Sequence, residues 1–394
     1  MKGMAWLVWR YVCFNWGKTV VLVLCLLLAA LLPIAVSILL RQFSQQIVAR
    51  SEATEAVVGH AGSGLDLALH AIYFRRGVDQ TIPFSEAGQI RDSGLATPIP
   101  LFCRFTARGF PLVGTTVDYF PYRNLQIGQG RMLVRLGECV IGSRVAQRLG
   151  VAPGDFVLSD RENIIDIGGL YPLKLKVAGV LATADSADDS AVFVDLKTAW
   201  VIQGLGHGHQ DLQAETDPLL VMSRDDQQIV ASPAVLPYTA ITDANIASFH
   251  FHGEEKDFPL TAVIIDSPDE KSATLLLGRY PSHDGMIQMV VPKKSIDELL
   301  GMIFQTEKLF LANSVLIAVS TALLMGLVVM LSIRLRTPEM TTMFKIGCSR
   351  HVAWSLQAGE LLVVIVFSAG LLAVSVWTIQ HFASDLVQRL VVGS

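Results

Sequence analysis

Thr19 to Leu40 reads TVVLVLCLLLAALLPIAVSILL, 22 residues without a charge. About 20 apolar residues suffice for a helix to cross a bilayer, so this stretch predicts a membrane span and a protein built around it. Working outward, Leu309 to Ile333 gives 25 further residues without a charge, and Val352 to Gln380 is apolar apart from Glu360. Three spans account for a 394-residue chain that is 52% hydrophobic and only 17% charged, a balance unlike that of soluble proteins.

Lys and Arg asymmetry sets the orientation. The leader Met1 to Lys18 carries Lys2, Arg10 and Lys18 and no acid, and 334–351 carries Arg334, Arg336, Lys345 and Arg350 against Glu339. Both are expected in the cytoplasm. The middle, 41–308, holds 23 Lys and Arg against 32 Asp and Glu, a net charge of −9. It is expected outside, and its acidity argues against a nucleic-acid partner. The competing reading of the first span is a cleaved signal peptide ending near Ala35-Val36-Ser37, but the apolar run continues through Leu40 and exceeds a signal core in length.

The predicted organisation is therefore a cytoplasmic segment 1–18, spans at 19–40, 309–333 and 352–380, an outer domain over 41–308, a cytoplasmic loop over 334–351 and an outer tail 381–394. The first span runs without Pro or Gly into RQFSQQIVARSEATEAVVG, which reads as the same helix continuing outward as far as Gly59. Ser295 and Glu298 have the spacing of a capping box before Ile296, Leu299, Leu300 and Ile303, which recur at helical intervals towards the second span. Between these two stalk helices, LKLKVAGVLAT (173–183) and AVFVDL (191–196) read as strands separated by a loop, and VIGSRVAQRLG (140–150) reads as a helix closed by Gly150. The fold class is an α-helical membrane protein with an α+β extracytoplasmic domain, with two of the three transmembrane helices extended as a periplasmic stalk and two subdomains suspected outside.

The chemistry-bearing residues are few. Gly17-Lys18-Thr19 ends like a phosphate-binding loop, but Val12 stands where its first glycine belongs, so the amide cradle for phosphate is missing. Neither a nucleophile elbow nor a zinc-protease motif occurs, and an enzyme is not expected. Two His-x-His pairs, His207 with His209 and His250 with His252, would each present both imidazoles on one face of a strand, as a zinc or copper site requires. Exposed, loop-borne histidines are the alternative. Asp185, Asp188 and Asp189 are better explained by a turn than by a cation site. Cys103 and Cys139 fall in the outer domain, where a disulfide is allowed; two unpaired buried thiols are the alternative. In the spans, Ala318, Ala322 and Gly326 form a small-residue stripe for helix packing. Glu360 is a costly carboxylate expected to orient helix or loop contacts near the cytoplasmic face. The basic loop 334–351 offers Met340, Met343, Phe344 and Ile346 as apolar contacts, either as a plain hairpin or as a docking element for a cytoplasmic protein.

In its order of segments, the chain resembles the FtsX-like permeases with a MacB-type periplasmic core domain, the membrane subunits of type VII ABC transporters. GSGLDLALHAIYFRRGVDQTIPFSEAGQI, ECVIGSRVAQRLGVAPGDFV and VAGVLATADSADDSAVFVDLKTAW resemble parts of the core domain, and MTTMFKIGCSRHVAWSLQAGELLV resembles the cytoplasmic signature. The resemblance implies a location in the bacterial inner membrane and a cytoplasmic ABC ATPase subunit that carries ATP and Mg. It also implies a second permease copy or paralogue, and a periplasmic adaptor, lipoprotein or hydrolase. The ATPase would be received at Met340, Met343, Phe344, Lys345, Ile346 and Gly347, and its motion passed along the stalk to act on a lipoprotein, peptide or lipid. The alternatives are a regulator or scaffold that activates a periplasmic hydrolase, and a metal-handling component using the His pairs. Family members usually carry a fourth span; here the sequence stops at Gly393-Ser394, so the fourth helix is expected from another polypeptide or the chain is a three-span variant.

Overall fold

The computed structural model describes residues 2–75, 80–160, 172–208, 221–225, 228–231, 239–280, 285–345, 347 and 350–392. The chain divides into two compact units, one of Met1–Gln46 with Leu299–Val387, the other built on Ile47–Glu298.

The first unit is helical. A short helix α1 (Lys2–Phe14) precedes α2 (Trp16–Glu52, 37 residues), and two further long helices follow the outer segment: α6 (Pro292–Lys345, 54 residues) and α7 (Arg350–Val392, 43 residues). Stretches within α2, α6 and α7 are long and apolar enough to cross a membrane. Their outer surfaces remain apolar, with Leu24, Leu28, Leu316, Leu323, Val366 and Val374 all exposed, as expected for faces that lipid covers. Inside the bundle, Leu22 and Val23 of α2 pack on Val364 of α7, with Met325 and Val328 of α6 against them. Gly359 of α7 meets Val8 of α1, where an added Cβ would come within 2.6 Å of the valine side chain.

The second unit is α+β. Its framework is an 11-stranded mixed sheet among the described residues. The strands used below are β1 (Ala56–His60), β2 (Thr97–Phe102), β3 (Phe110–Thr115), β4 (Ile127–Gly130), β5 (Glu138–Ile141), β6 (Phe156–Leu158), β7 (Lys174–Leu181), β8 (Val192–Asp195), β11 (Ala262–Asp266) and β12 (Ile287–Val290). They lie in the order β12-β1-β11-β2-β3-β8-β5-β7-β4, with β6 on β7. Pairing is antiparallel except for β3 with β8 and β5 with β7. A separate two-stranded ribbon joins β9 (Gly206–His207) to β10 (His250–Phe251).

The central strands are continuous apolar runs rather than alternating ones. VFVD in β8 and AVIID in β11 are buried along nearly their whole length, because both faces of the sheet are covered. Helix α3 (Gly64–Tyr73) lies over β1 and β11, and α5 (Leu196–Gln203) over β3 and β8. On one face of the sheet the buried residues form a contiguous cluster, in which Trp200 of α5 meets Phe84 and Phe258 edge-on with ring centroids 5.4 and 5.0 Å apart.

Several expectations change. Helix α2 ends at Glu52 instead of continuing to Gly59, and Ala56–His60 becomes strand β1. The β-branched pair Val57-Val58 is fully buried between two neighbouring strands, so tertiary pairing overrides the helical continuation. Ser295 lies inside α6, which begins at Pro292, so Ser295 and Glu298 form no capping box; Pro supplies the first helical residue, where its missing N–H costs nothing. Val140 and Ile141 belong to strand β5, and only α4 (Ser143–Leu149) is helical, ended by Gly150 in the left-handed conformation. The two strands read at 173–183 and 191–196 are present as β7 and β8, with β5 between them in the sheet. Residues 47–298 fall in one of the two compact units. The stretch 334–351 is helical as far as Lys345, with Pro338 inside the helix, and Gly347 sits in a turn at φ 98° before α7 begins at Arg350.

Candidate functional site: the stalk anchor and the helix-bundle ion pair

Helix α2 terminates where its last carbonyls find side-chain donors. The Ser51 hydroxyl donates to Val48 O at 2.9 Å and the Thr54 hydroxyl to Arg50 O at 3.0 Å, satisfying acceptors that a helix end leaves open. At this end Arg50, itself part of the α+β unit, is buried. Its Nη1 donates to Asp188 Oδ2 at 2.6 Å, Nη2 to Asp188 Oδ1 at 2.9 Å and to Tyr119 OH at 3.1 Å, and Nε to Ile72 O at 2.7 Å. The Tyr119 hydroxyl in turn donates to Asp188 Oδ1 at 2.7 Å. The Arg50 side chain is only 10% exposed and that of Asp188 1%, so this is a bidentate, charge-assisted pair out of water. The rings of Tyr73 and Phe74 lie 5.9 Å from the guanidinium carbon.

Asp188 is held by its own local structure. Residues Ala187–Ser190 form a 3-10 turn whose N-cap, Ser186, makes a complete capping box with Asp189. Asp189 also accepts from Ser143 Oγ and from Ala184 N, each at 3.0 Å. Gly142 makes room for the turn: a Cβ there would lie 2.3 Å from the carbonyl oxygens of both Asp188 and Asp189. Burial on its own would raise the Asp188 carboxyl, but the charge of Arg50 and the bonds from Arg50 and Tyr119 outweigh it and hold the group below the usual carboxylate range. Burial pushes the Tyr119 phenol up.

Further ties secure the same end of α2. Tyr122 OH donates to Ala53 O at 3.1 Å, Ser267 N to Glu55 Oε2 at 2.8 Å, and Glu52 pairs with Lys293, near the start of α6, at 2.9 Å. Ile47 and Ile296 are fully buried. The charged contact Glu52–Lys293 is half exposed on both sides and adds little; Arg50 is the anchor.

In the helical unit, Glu360 is 3% exposed and its Oε1 lies 2.7 Å from Lys18 Nζ. Ser368, two turns further along α7, donates to Val23 O at 3.4 Å. The Gly17-Lys18-Thr19 triplet is thus part of α2, and its lysine is an ion-pair partner. Ala318, Ala322 and Gly326 are exposed, and a Cβ at Gly326 would meet nothing within 4 Å. The stripe therefore packs against no described helix of this chain, and the inner face of the bundle is formed by Leu22, Val23, Met325, Val328 and Val364 instead.

Among the residues expected to receive the ATPase, Lys345 is exposed and Gly347 provides the turn; the side chains of Met340, Met343 and Phe344, and the whole of Ile346, lie outside the described residues. His207, His250 and His252 come together, with ligand nitrogens all within 4.8 Å of one another. His209 lies outside the described residues. Cys103 and Cys139 are free, buried thiols, and burial pushes both well up.

The sequence reading missed Arg50 and Tyr119 and took Asp188 for a turn residue. One local signal was present: S-A-D-D-S (186–190) before the apolar run AVFV has a serine at the N-cap of a turn with an aspartate three residues on. Nothing local paired it with an arginine 138 positions earlier.

Residues 19–232 match the family described as the MacB-like periplasmic core domain. No curated protein matches the sequence. Among solved structures, the periplasmic region of MacB from Actinobacillus actinomycetemcomitans is similar at 12% identity, covering 65% of this chain and 98% of that one with a TM-score of 0.37. The extracellular domain of the noncanonic ABC-type transporter YknZ from Gram-positive bacteria is similar at 12% identity, covering 60% and 99% with a TM-score of 0.32. The family match extends over more than half of the chain, from the first apolar helix past the turn that holds Asp188, and the chain belongs to the MacB-like periplasmic core domain family, the FtsX-like permeases of type VII ABC transporters.

Proposed function

We propose that this chain is the membrane subunit of a mechanotransmission complex in the bacterial inner membrane, with 47–298 outside. It relays the motion of a separate cytoplasmic ATPase to the outer domain, where a lipoprotein, peptide or lipid is acted on. The observation that carries this reading is the anchoring of α2: one helix runs from Trp16 to Glu52 and ends in the buried Arg50–Asp188–Tyr119 network. At 1.5 Å per residue such a helix is about 55 Å long, and a displacement along it reaches the buried pair Arg50–Asp188 at its end. Pro33 removes one backbone bond in the apolar part and is where the helix can bend.

The motion enters at the α6–α7 tip, through Met340, Met343, Phe344, Lys345, Ile346 and Gly347. The exposed apolar face of α6 that carries Ala318, Ala322 and Gly326 suits a second copy in the membrane. Co-expression with the ATPase subunit and purification of the complex tests the reading. Spin labels on the outer domains should change separation when ATP is added, and Phe344→Ala should abolish that change while ATP hydrolysis persists. An unchanged ATP response in Phe344→Ala would remove the tip from the relay, and no ATP response in the wild type would end the proposal.

A further inference from the structure

The ribbon β9–β10 has two unlike faces. His207 pairs directly with His250, and Gly206 with Phe251, so strand alternation places His207, His250 and His252 on one side and Phe249 and Phe251 on the other. The aromatic side is packed. Phe249 and Phe251 lie against the main core, and the Phe251 ring is 5.9 Å from that of Phe258, which meets Trp200. Gly206 and Gly208 are what allow it: a Cβ on either would come within 2.7 Å or less of the Phe251 or Phe249 ring. His252 N donates to Leu205 O at 2.8 Å and fixes the register.

The opposite side carries three imidazoles in a nearly equilateral triangle, with ring centroids 4.8, 4.9 and 4.9 Å apart. One ligand nitrogen from each lies within 4.8 Å of the other two. His250 Nδ1 is 3.0 Å from Ser248 O; donation of its N–H to that carbonyl fixes the tautomer and puts the lone pair on Nε2, the usual orienting bond of a metal-ligating histidine. The neighbouring carboxylates are engaged with ammonium groups, Glu254 with Lys256 at 2.6 Å and Glu255 with Lys197 at 3.4 Å. Among the described residues, the cluster consists of these three imidazoles.

We propose that His207, His250 and His252 bind Zn²⁺ as a three-histidine site that ties β9 to β10 at the base of the segment 208–249. Zn–N distances near 2.0–2.1 Å bring tetrahedral nitrogens to about 3.3 Å from one another. Small rotations of His250 and His252, both exposed, close the triangle to that size and leave a fourth position for water. The site owes nothing to the relay function, and each stands or falls alone.

The test uses the full chain in detergent, freed of any histidine tag and stripped of metal, titrated with ZnCl₂ in a calorimeter. One Zn²⁺ per chain with a dissociation constant in the micromolar range or tighter is expected, together with a rise in the unfolding temperature. His250→Ala and His252→Gln should each weaken binding by about tenfold or more, whereas His60→Ala should leave it unchanged. Co²⁺ in place of Zn²⁺ should give the visible absorption of a four-coordinate ion, lost in the same two variants. Absence of saturable binding, or binding equally tight in His250→Ala and His252→Gln, overturns the proposal. Both residues are exposed, so circular dichroism of the variants should match that of the wild type.

Discussion

Replacing Asp188 with asparagine keeps the shape of the side chain and removes its charge. Arg50 then remains 10% exposed with no carboxylate to oppose it, and an amide cannot accept both guanidinium N–H groups now directed at Asp188 Oδ1 and Oδ2. Breaking a buried pair from one side costs roughly 3–5 kcal/mol; the residual exposure of Arg50 puts the expected loss near the lower end, about 3 kcal/mol. At about 1.4 kcal/mol per factor of ten, that is a rise of roughly 150-fold in the opening constant of the outer unit. Hydrogen exchange of the full chain in detergent reads this directly, through the slowest amides of strand β8, buried from Val192 to Val194, and its partner β3. The double variant Arg50→Met with Asp188→Leu should recover most of the loss, because two apolar groups replace two charges. A change of less than about threefold in Asp188→Asn, or a double variant no better than the single, would refute the claim that α2 is anchored by a buried charge pair.

In the helical unit, Glu360→Gln leaves Lys18 facing a neutral group in the bundle; a loss of about 2 kcal/mol is expected, reduced because the Lys18 side chain is 25% exposed, and Lys18→Met combined with Glu360→Leu should restore the wild-type unfolding temperature. Acid should weaken the outer unit in two stages. Burial lowers the pKa of His70, and its ring is neutral in the fold with Nδ1 at 2.7 Å from Arg75 O; the unfolded chain binds the proton first, so stability falls as pH drops below about 6.5, and His70→Gln should flatten that limb in urea titrations. The second stage belongs to carboxylates with depressed values. Hydrogen bonds from Arg131 push Glu138 down to about 2, and Asp188 is also lowered, so their contribution is complete above about pH 5 and disappears as pH falls towards 2. A single acid transition, unaltered by His70→Gln, would contradict the first stage.

The sequence by itself determined the three apolar helices, the presence of an α+β segment between the first and second of them, and the family. Each of these depends on runs or on the order of segments: the apolar stretch 19–40, LKLKVAGVL and AVFVD for strands β7 and β8, and the Gly150 helix stop are each visible within about two dozen consecutive residues. Only the tertiary structure decided where α2 ends, because the burial of Val57 and Val58 between two strands outweighs the helical tendency of the residues before them. The partners of the charged groups were likewise decided there. Arg50 meets Asp188 across 138 positions, and Lys18 meets Glu360 from opposite ends of the chain. The histidine pairs occupy an intermediate place: the alternation within 250–252 was legible, since a strand has period 2, but the convergence with His207 required the ribbon's register. A side chain's charge and its face on an element are local properties, whereas the group it meets is set by which distant strands and helices share its layer.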